Sequence, residues 1–153
     1  MWVPPEDKDP ILLHAPTRKS VACFGAVNLR NGQFVRRICK VFNAVTFRRF
    51  LMQLLRYRTP SRRIIVVLDN ARYHPAVILK PFLRQEAAHL KLMSLPAYSP
   101  QLAPIERVWK LTRRLATHNR YFPTLGEVLQ AVNVPFNRWR RPNSTLRRLC
   151  CIT

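Results

Sequence analysis

Asp69 closes the apolar run Arg63 to Leu68 (RIIVVL), and Glu106 follows 37 residues later inside a stretch with helical period. Open α/β sheets present their ligand-facing groups at strand ends, and the first turn of a helix holds a carboxylate against the positive end of its dipole. Two carboxylates facing one crevice would hold a divalent cation. Each acid also has a plainer reading, Asp69-Asn70 as a turn pair and Glu106 as a first-turn acid. Scarcity sets them apart, since they are two of only seven acids in a chain with 27 Lys and Arg and a formal charge of +20. Negative charge kept inside so positive a field points to a bound metal ion.

Other residues of the right type carry less. His74, just before Pro75, would either orient a phosphate or carboxylate or cap a helix entrance. His14, His89 and His118 lack metal-ligand spacing, and Cys23, Cys39, Cys150 and Cys151 contain no CxxC pair, so no zinc site is expected. The thiols read as reduced, in a cytoplasmic, nucleoid-associated protein. Trp109 stands at helical spacing from Leu102 and Ile105, which makes it core in preference to a base-stacking platform.

The chain has 153 residues, 48% hydrophobic and 22% charged, enough for one domain with a real core and unlike a disordered tail. So large an excess of positive charge calls for a polyanion, most simply nucleic acid, and disfavours an enzyme of acidic or neutral metabolites. Arg doublets recur at 36–37, 48–49, 62–63, 113–114, 140–141 and 147–148. Arg62, Arg63, Arg72, Arg107, Lys110, Arg113, Arg114, Arg140 and Arg141 are the candidate contacts to a DNA backbone, bound without base readout. No apolar run approaches the roughly 20 residues of a membrane span, and the first 20 residues do not resemble a signal peptide.

The elements that must position these groups are legible from period and punctuation. Residues 1–19, with four prolines and the acids Glu6, Asp7 and Asp9, read as loop. Ser20 to Leu29 and Gln33 to Phe42 form a hairpin across Asn31-Gly32. Phe47, Phe50, Leu51, Leu54 and Leu55 mark an amphipathic helix that stops before Pro60, and Ile64 to Leu68 is a parallel strand covered on both faces. Pro75 opens the next helix, which Pro81 kinks or breaks, and Leu90 to Leu95 is a short strand. A helix from about Pro104 shows Leu102, Ile105, Trp109, Thr112 and Ala116 on one face. The last helix starts with a Thr124-x-x-Glu127 capping box and is bent by Pro135. Strands interspersed with helices imply a mixed α/β sheet with flanking helices.

Two blocks, VVLDNARYH (Val66 to His74) and LPAYSPQLAPIERVWK (Leu95 to Lys110), resemble the catalytic core of DDE transposases of bacterial insertion sequences in the mariner superfamily. They occur in the family's order at a DDE-type interval, and weaker similarity runs from Trp2 to about Trp139. The resemblance implies a ribonuclease-H-like mixed sheet with flanking helices. It also implies two Mg²⁺ (or Mn²⁺) ions held by three carboxylates for in-line attack on DNA phosphodiesters, with Asp69 second, Glu106 third, and Asn70 and His74 as site support.

The departures carry expectations of their own. The family's first Asp lies on a central strand upstream of the segment that begins here with Met1, so the chain reads as the C-terminal part of a transposase, catalytically incomplete alone. Its expected parts are a loop over 1–19, a partial catalytic domain over 20–141 and a basic tail over 142–153. Glu6, Asp7 and Asp9 sit in a Pro-rich loop and make poor substitutes, because metal ligands need rigid supports. Ala103 stands where the family has Asn, forfeiting about 1 kcal/mol of helix capping. Loss of the central strand would leave apolar strand edges open to self-association. The rival reading is a small basic nucleic-acid-binding protein in which both acids are incidental.

Overall fold

The computed structural model describes residues 13–14, 20–69, 77–99 and 102–151. They divide into two compact units, one made of the described residues up to Lys40 together with those from Pro104 onward, the other of those between Val41 and Ala103.

The first unit holds an antiparallel three-stranded sheet, β1 (Leu13–His14), β2 (Ser20–Val27) and β3 (Phe34–Cys39), in that order. β1 lies within the region read as loop. The expected hairpin is present, with its ladder closing at Val27↔Phe34 rather than hard against Asn31-Gly32. Asn28 and Asn31 turn the chain with their own side chains, accepting from the amides of Arg30 and Gln33 at 2.9 Å each. Gly32 sits at φ +76°, a left-handed conformation that a residue without Cβ adopts freely.

Helices α3 (Ile105–Thr112), α4 (Leu125–Arg138) and α5 (Ser144–Leu149) complete this unit, with a π-helical turn at Arg113–Thr117 following α3. Its core is aromatic. Phe34 meets Trp109 edge-on at 5.7 Å, Phe136 at 5.0 Å and Trp139 at 6.2 Å, and all four side chains are buried. Packing is so close that a Cβ on Gly25 would press into the Trp109 indole and come within 2.9 Å of Phe34 Cε2. Leu102, expected on the inner face of α3, precedes the helix and is exposed, while Val108 takes the buried place. Of the expected capping box on α4, the Thr124 hydroxyl accepts from the Glu127 amide at 3.3 Å. Pro135 lies inside α4, which continues to Arg138.

The second unit contains α1 (Ala44–Leu55), β4 (Ile64–Leu68), α2 (Lys80–Gln85) and β5 (Leu90–Ser94). Asn43 caps α1 and exchanges hydrogen bonds with Thr46, and the five apolar residues expected on its inner face are all buried. Arg48 lies over the Phe82 ring at 5.4 Å, joining the outer side of α1 to α2. Pro81 is the second residue of α2, directly after a 3₁₀ turn at Val77–Leu79, and in the first turn its missing N–H costs nothing. Whether Pro75 opens a helix lies outside the described residues.

β4 pairs with β5 in parallel, as expected. Coverage of both its faces is overturned: Ile65 and Val67 are 55% and 50% exposed, and their neighbour Met93 on β5 is 46% exposed. A short all-apolar run carries no alternation, so its composition cannot tell a strand covered twice from one covered once.

Candidate active site

Asp69 follows the last residue of β4. The register Leu68↔Ser94, continued by the Leu95 amide donating to the Leu68 carbonyl at 2.7 Å, brings both strands out at one edge. Asp69, half-buried, thus shares that edge with the loop that leaves β5. In this loop the Ser99 hydroxyl donates to the Ala97 carbonyl at 3.3 Å, and the Leu102 amide donates to the Ser99 carbonyl at 3.1 Å. Between them Tyr98 takes φ +58° and is 94% exposed. Asn70, Arg72 and His74 lie outside the described residues, as do Glu6, Asp7 and Asp9.

Glu106 lies in the first turn of α3, where the helix dipole favours a carboxylate. Pro104 occupies the cap position and no side chain caps the helix; Ala103, expected at the cap, precedes it by one residue. Support comes instead from the far end of the chain. Arg107 donates from Nη1 to the carbonyls of Leu149 and Cys151 at 3.0 and 3.1 Å, and the Cys150 thiol donates to the Pro104 carbonyl at 3.6 Å. The residues on either side of Glu106 are therefore tied to the C-terminal end of α5.

That helix occupies part of the region read as a basic tail. Asn143 caps it by accepting from the Leu146 amide at 2.9 Å, and donates from Nδ2 to the Gly32 carbonyl at 2.8 Å, docking α5 on the hairpin turn. The signal was present in the sequence as Asn143 ahead of Leu146, Leu149 and Cys150 at helical spacing, but the arginine doublets obscured it. Arg107, one of the candidate DNA contacts, is exposed, and its guanidinium satisfies carbonyls at the end of α5.

The remaining candidate DNA contacts among the described residues, Arg62, Arg63, Lys110, Arg113, Arg114, Arg140 and Arg141, are all exposed. Arg113 and Arg114 lie on the π-helical turn, closed by the His118 amide donating to the Arg113 carbonyl at 2.8 Å. Such turns interrupt an α-helix and occur often at functional sites. Among the described residues no group of three or more His, Cys, Asp or Glu side chains stands together as a metal cage.

Burial governs the thiols. Cys23 is pushed up from 9.0 to about 12 by burial, opposed by the Arg36 charge, and Cys150 is also raised by burial, so neither is a thiolate nucleophile at neutral pH. Arg36 itself lies over the Phe136 ring at 5.4 Å and donates to Asn137 Oδ1 at 3.1 Å. It is held below the usual guanidinium range by burial.

A family model described as DDE superfamily endonuclease matches residues 1–129. The chain belongs to that family. The fold of the chain is similar to that of the catalytic domain of Mos1 mariner transposase, with a TM-score of 0.69 at 20% identity, over 92% of this chain and 71% of that one. A Mos1 strand transfer complex gives a TM-score of 0.66 at 21% identity, over 98% of this chain but only 44% of the Mos1 chain. By sequence, the chain is 26% identical over 115 residues to the uncharacterized protein y4pE/y4sA of Sinorhizobium fredii (strain NBRC 101917 / NGR234), covering 75% of this chain and 82% of that protein.

The ribonuclease-H-like fold expected from the mariner resemblance is therefore shown, as a mixed α/β arrangement with flanking helices. The DDE endonuclease match takes in Asp69, Pro104, Glu106 and Arg107 and ends within α4, so only the α5 side of the ties to Pro104 and Arg107 lies beyond it. No described helix is long and apolar enough to cross a membrane.

Proposed function

We propose that this member of the DDE superfamily acts in DNA transposition and integration, with Asp69 and Glu106 as the second and third carboxylates of a divalent-cation site. The observation that carries this reading is the placement of Asp69 at the common exit edge of a parallel strand pair, within a chain whose family cleaves DNA. The donor chemistry fits Mg²⁺ or Mn²⁺, since Mg²⁺ keeps several waters and is commonly held by one or two carboxylates together with substrate phosphates. When bound, the ions would supply Lewis-acid activation and neutralise charge at the phosphate. The chain's own part is to hold carboxylates on a strand end and a helix start, and to bring DNA to them through exposed Arg and Lys.

A two-ion site calls for a further carboxylate, and the acids of this sequence ahead of the hairpin are Glu6, Asp7 and Asp9, in a Pro-rich segment. Two carboxylates offset half the +4 of two Mg²⁺, within a domain that is already cationic. Cleavage of transposon-end DNA with Mg²⁺ or Mn²⁺ tests this, run on the chain, its Asp69→Asn and Glu106→Gln variants, and a version extended upstream by a strand bearing Asp. Cleavage is expected once a third carboxylate is supplied on that strand and should fall to background in either variant. Cleavage by the chain without the added strand, abolished by both variants, would assign the third carboxylate to Glu6, Asp7 or Asp9. Mn²⁺ that binds neither form, with DNA binding intact, would favour the rival of a basic non-catalytic protein. Binding itself should be nearly indifferent to sequence, and with about six phosphate contacts its log–log salt slope should lie near −5.

A further inference from the structure

We propose that Tyr98 is a stacking platform for an unpaired nucleobase beside the Asp69 edge. The proposal deepens the DNA-cleavage reading of Asp69 and rests on it. Two non-glycine residues among those described have positive φ, Asn119 at +54° and Tyr98 at +58°. Asn is a type that tolerates this conformation, because its short polar side chain bonds locally. Tyr is not, and a bulky residue there is a genuine outlier.

Such a conformation persists when something repays it. Packing within the protein does not, since 94% of Tyr98 is exposed. It is the most exposed of the large hydrophobic side chains described, in a chain whose other tyrosines in that group are Tyr121 at 78% and Tyr57 at 51%. The loop around it is nonetheless held, by Ser99 bonding back to Ala97 and forward to Leu102. The backbone is thus fixed in a form that lifts an aromatic ring into solvent.

Position says what the ring is for. Leu95 bonds to Leu68, the residue before Asp69, and Tyr98 follows Leu95 by three residues, a span of at most about 11 Å. A strand running along that edge would pass its nucleotides within reach of the ring. Every base offers a π-face, so an exposed aromatic on a strongly cationic protein suits an unpaired base without demanding a sequence. A paired base buries its faces in the duplex stack, so the platform favours single-stranded or unstacked DNA.

The test is binding of a fluorescent 12-nucleotide oligothymidylate and of a duplex of equal length, in EDTA so that no metal contributes. Tyr98→Ala should weaken single-strand binding about fivefold or more, the lower end of what one stacked base contributes. Duplex binding should change less than twofold, and Tyr98→Phe should bind like the parent. Tyr98→Gly should lose single-strand affinity as Ala does while melting no lower than the parent, because it relieves the positive φ. The proposal is overturned if the parent does not bind the single strand, if Ala leaves its affinity unchanged, if both DNAs weaken together, or if Phe behaves like Ala. Failure of the cleavage reading would show separately, as Mn²⁺ binding that Asp69→Asn leaves unchanged.

Discussion

The two units solve the problem of burial differently. The first closes an aromatic centre, in which Phe34, Trp109, Phe136 and Trp139 contact one another from a strand and two helices, and Gly25 leaves room for the indole alone. The second buries one side of α1 and leaves Ile65, Val67 and Met93 showing on one face of its two-stranded sheet. Glu106 is thus carried by a helix whose next turns are locked into a full core, whereas Asp69 leaves a strand pair with a bare face. A carboxylate's rigidity comes from what surrounds its element, and the two acids differ in that respect before any metal or DNA is considered.

Substitutions can sharpen or break this contrast. The largest effect should come from Trp109→Ala, which empties the centre of the first unit and should cost about 3–5 kcal/mol in urea or guanidinium unfolding. A loss below about 1 kcal/mol would mean that the aromatic centre is not the support described. A smaller effect concerns pH. Because burial raises Cys23 from 9.0 to about 12, the folded state binds a proton that the unfolded state releases between those values. Stability should therefore fall as pH rises from about 9 toward 12, being fully present below 9. Unfolding curves of the parent and Cys23→Ala across that interval check this, and parallel curves would refute it. The smallest effect belongs to the open face: Ile65→Thr and Val67→Thr should each change stability by no more than about 0.5 kcal/mol. They should instead raise the concentration at which the chain self-associates, read by sedimentation. A loss of 2 kcal/mol from either would show that this face is covered after all.

Much of this was legible where spacing and burial coincide. The inner face of α1, the hairpin, the start of α3 near Pro104 and the core position of Trp109 all follow from period and punctuation, because buried side chains must repeat with their element. What escaped did so for specific reasons. Ile64 to Leu68 is apolar throughout, so nothing in it marks Ile65 and Val67 as exposed. Pro81 reads as a breaker unless the helix is known to begin there. Thr46 completes a cap with Asn43, although Glu or Gln is the usual partner. Arg147 and Arg148 draw attention to charge and away from Leu146, which is fully buried. Of the site, Asp69 and Glu106 could be placed on their elements from the sequence. The ties from Arg107 and Cys150 to α5 and Pro104 could not, because they join segments more than 40 residues apart.

The bond from Asn143 to Gly32 spans 111 residues, and the first unit is assembled from both ends of the described chain, with the second lying between them in sequence. A ribosome adding about 5–20 residues per second would complete the hairpin turn roughly 5–20 s before Asn143 emerges to meet it. During that interval the residues between Val41 and Ala103 are synthesised in full, while Phe34 still lacks Trp109, Phe136 and Trp139. The segment bearing Asp69 therefore has the opportunity to fold as a continuous piece, but the aromatic centre behind Glu106 must wait for the last helices. The hairpin's apolar side chains are left meanwhile to chaperones or to one another.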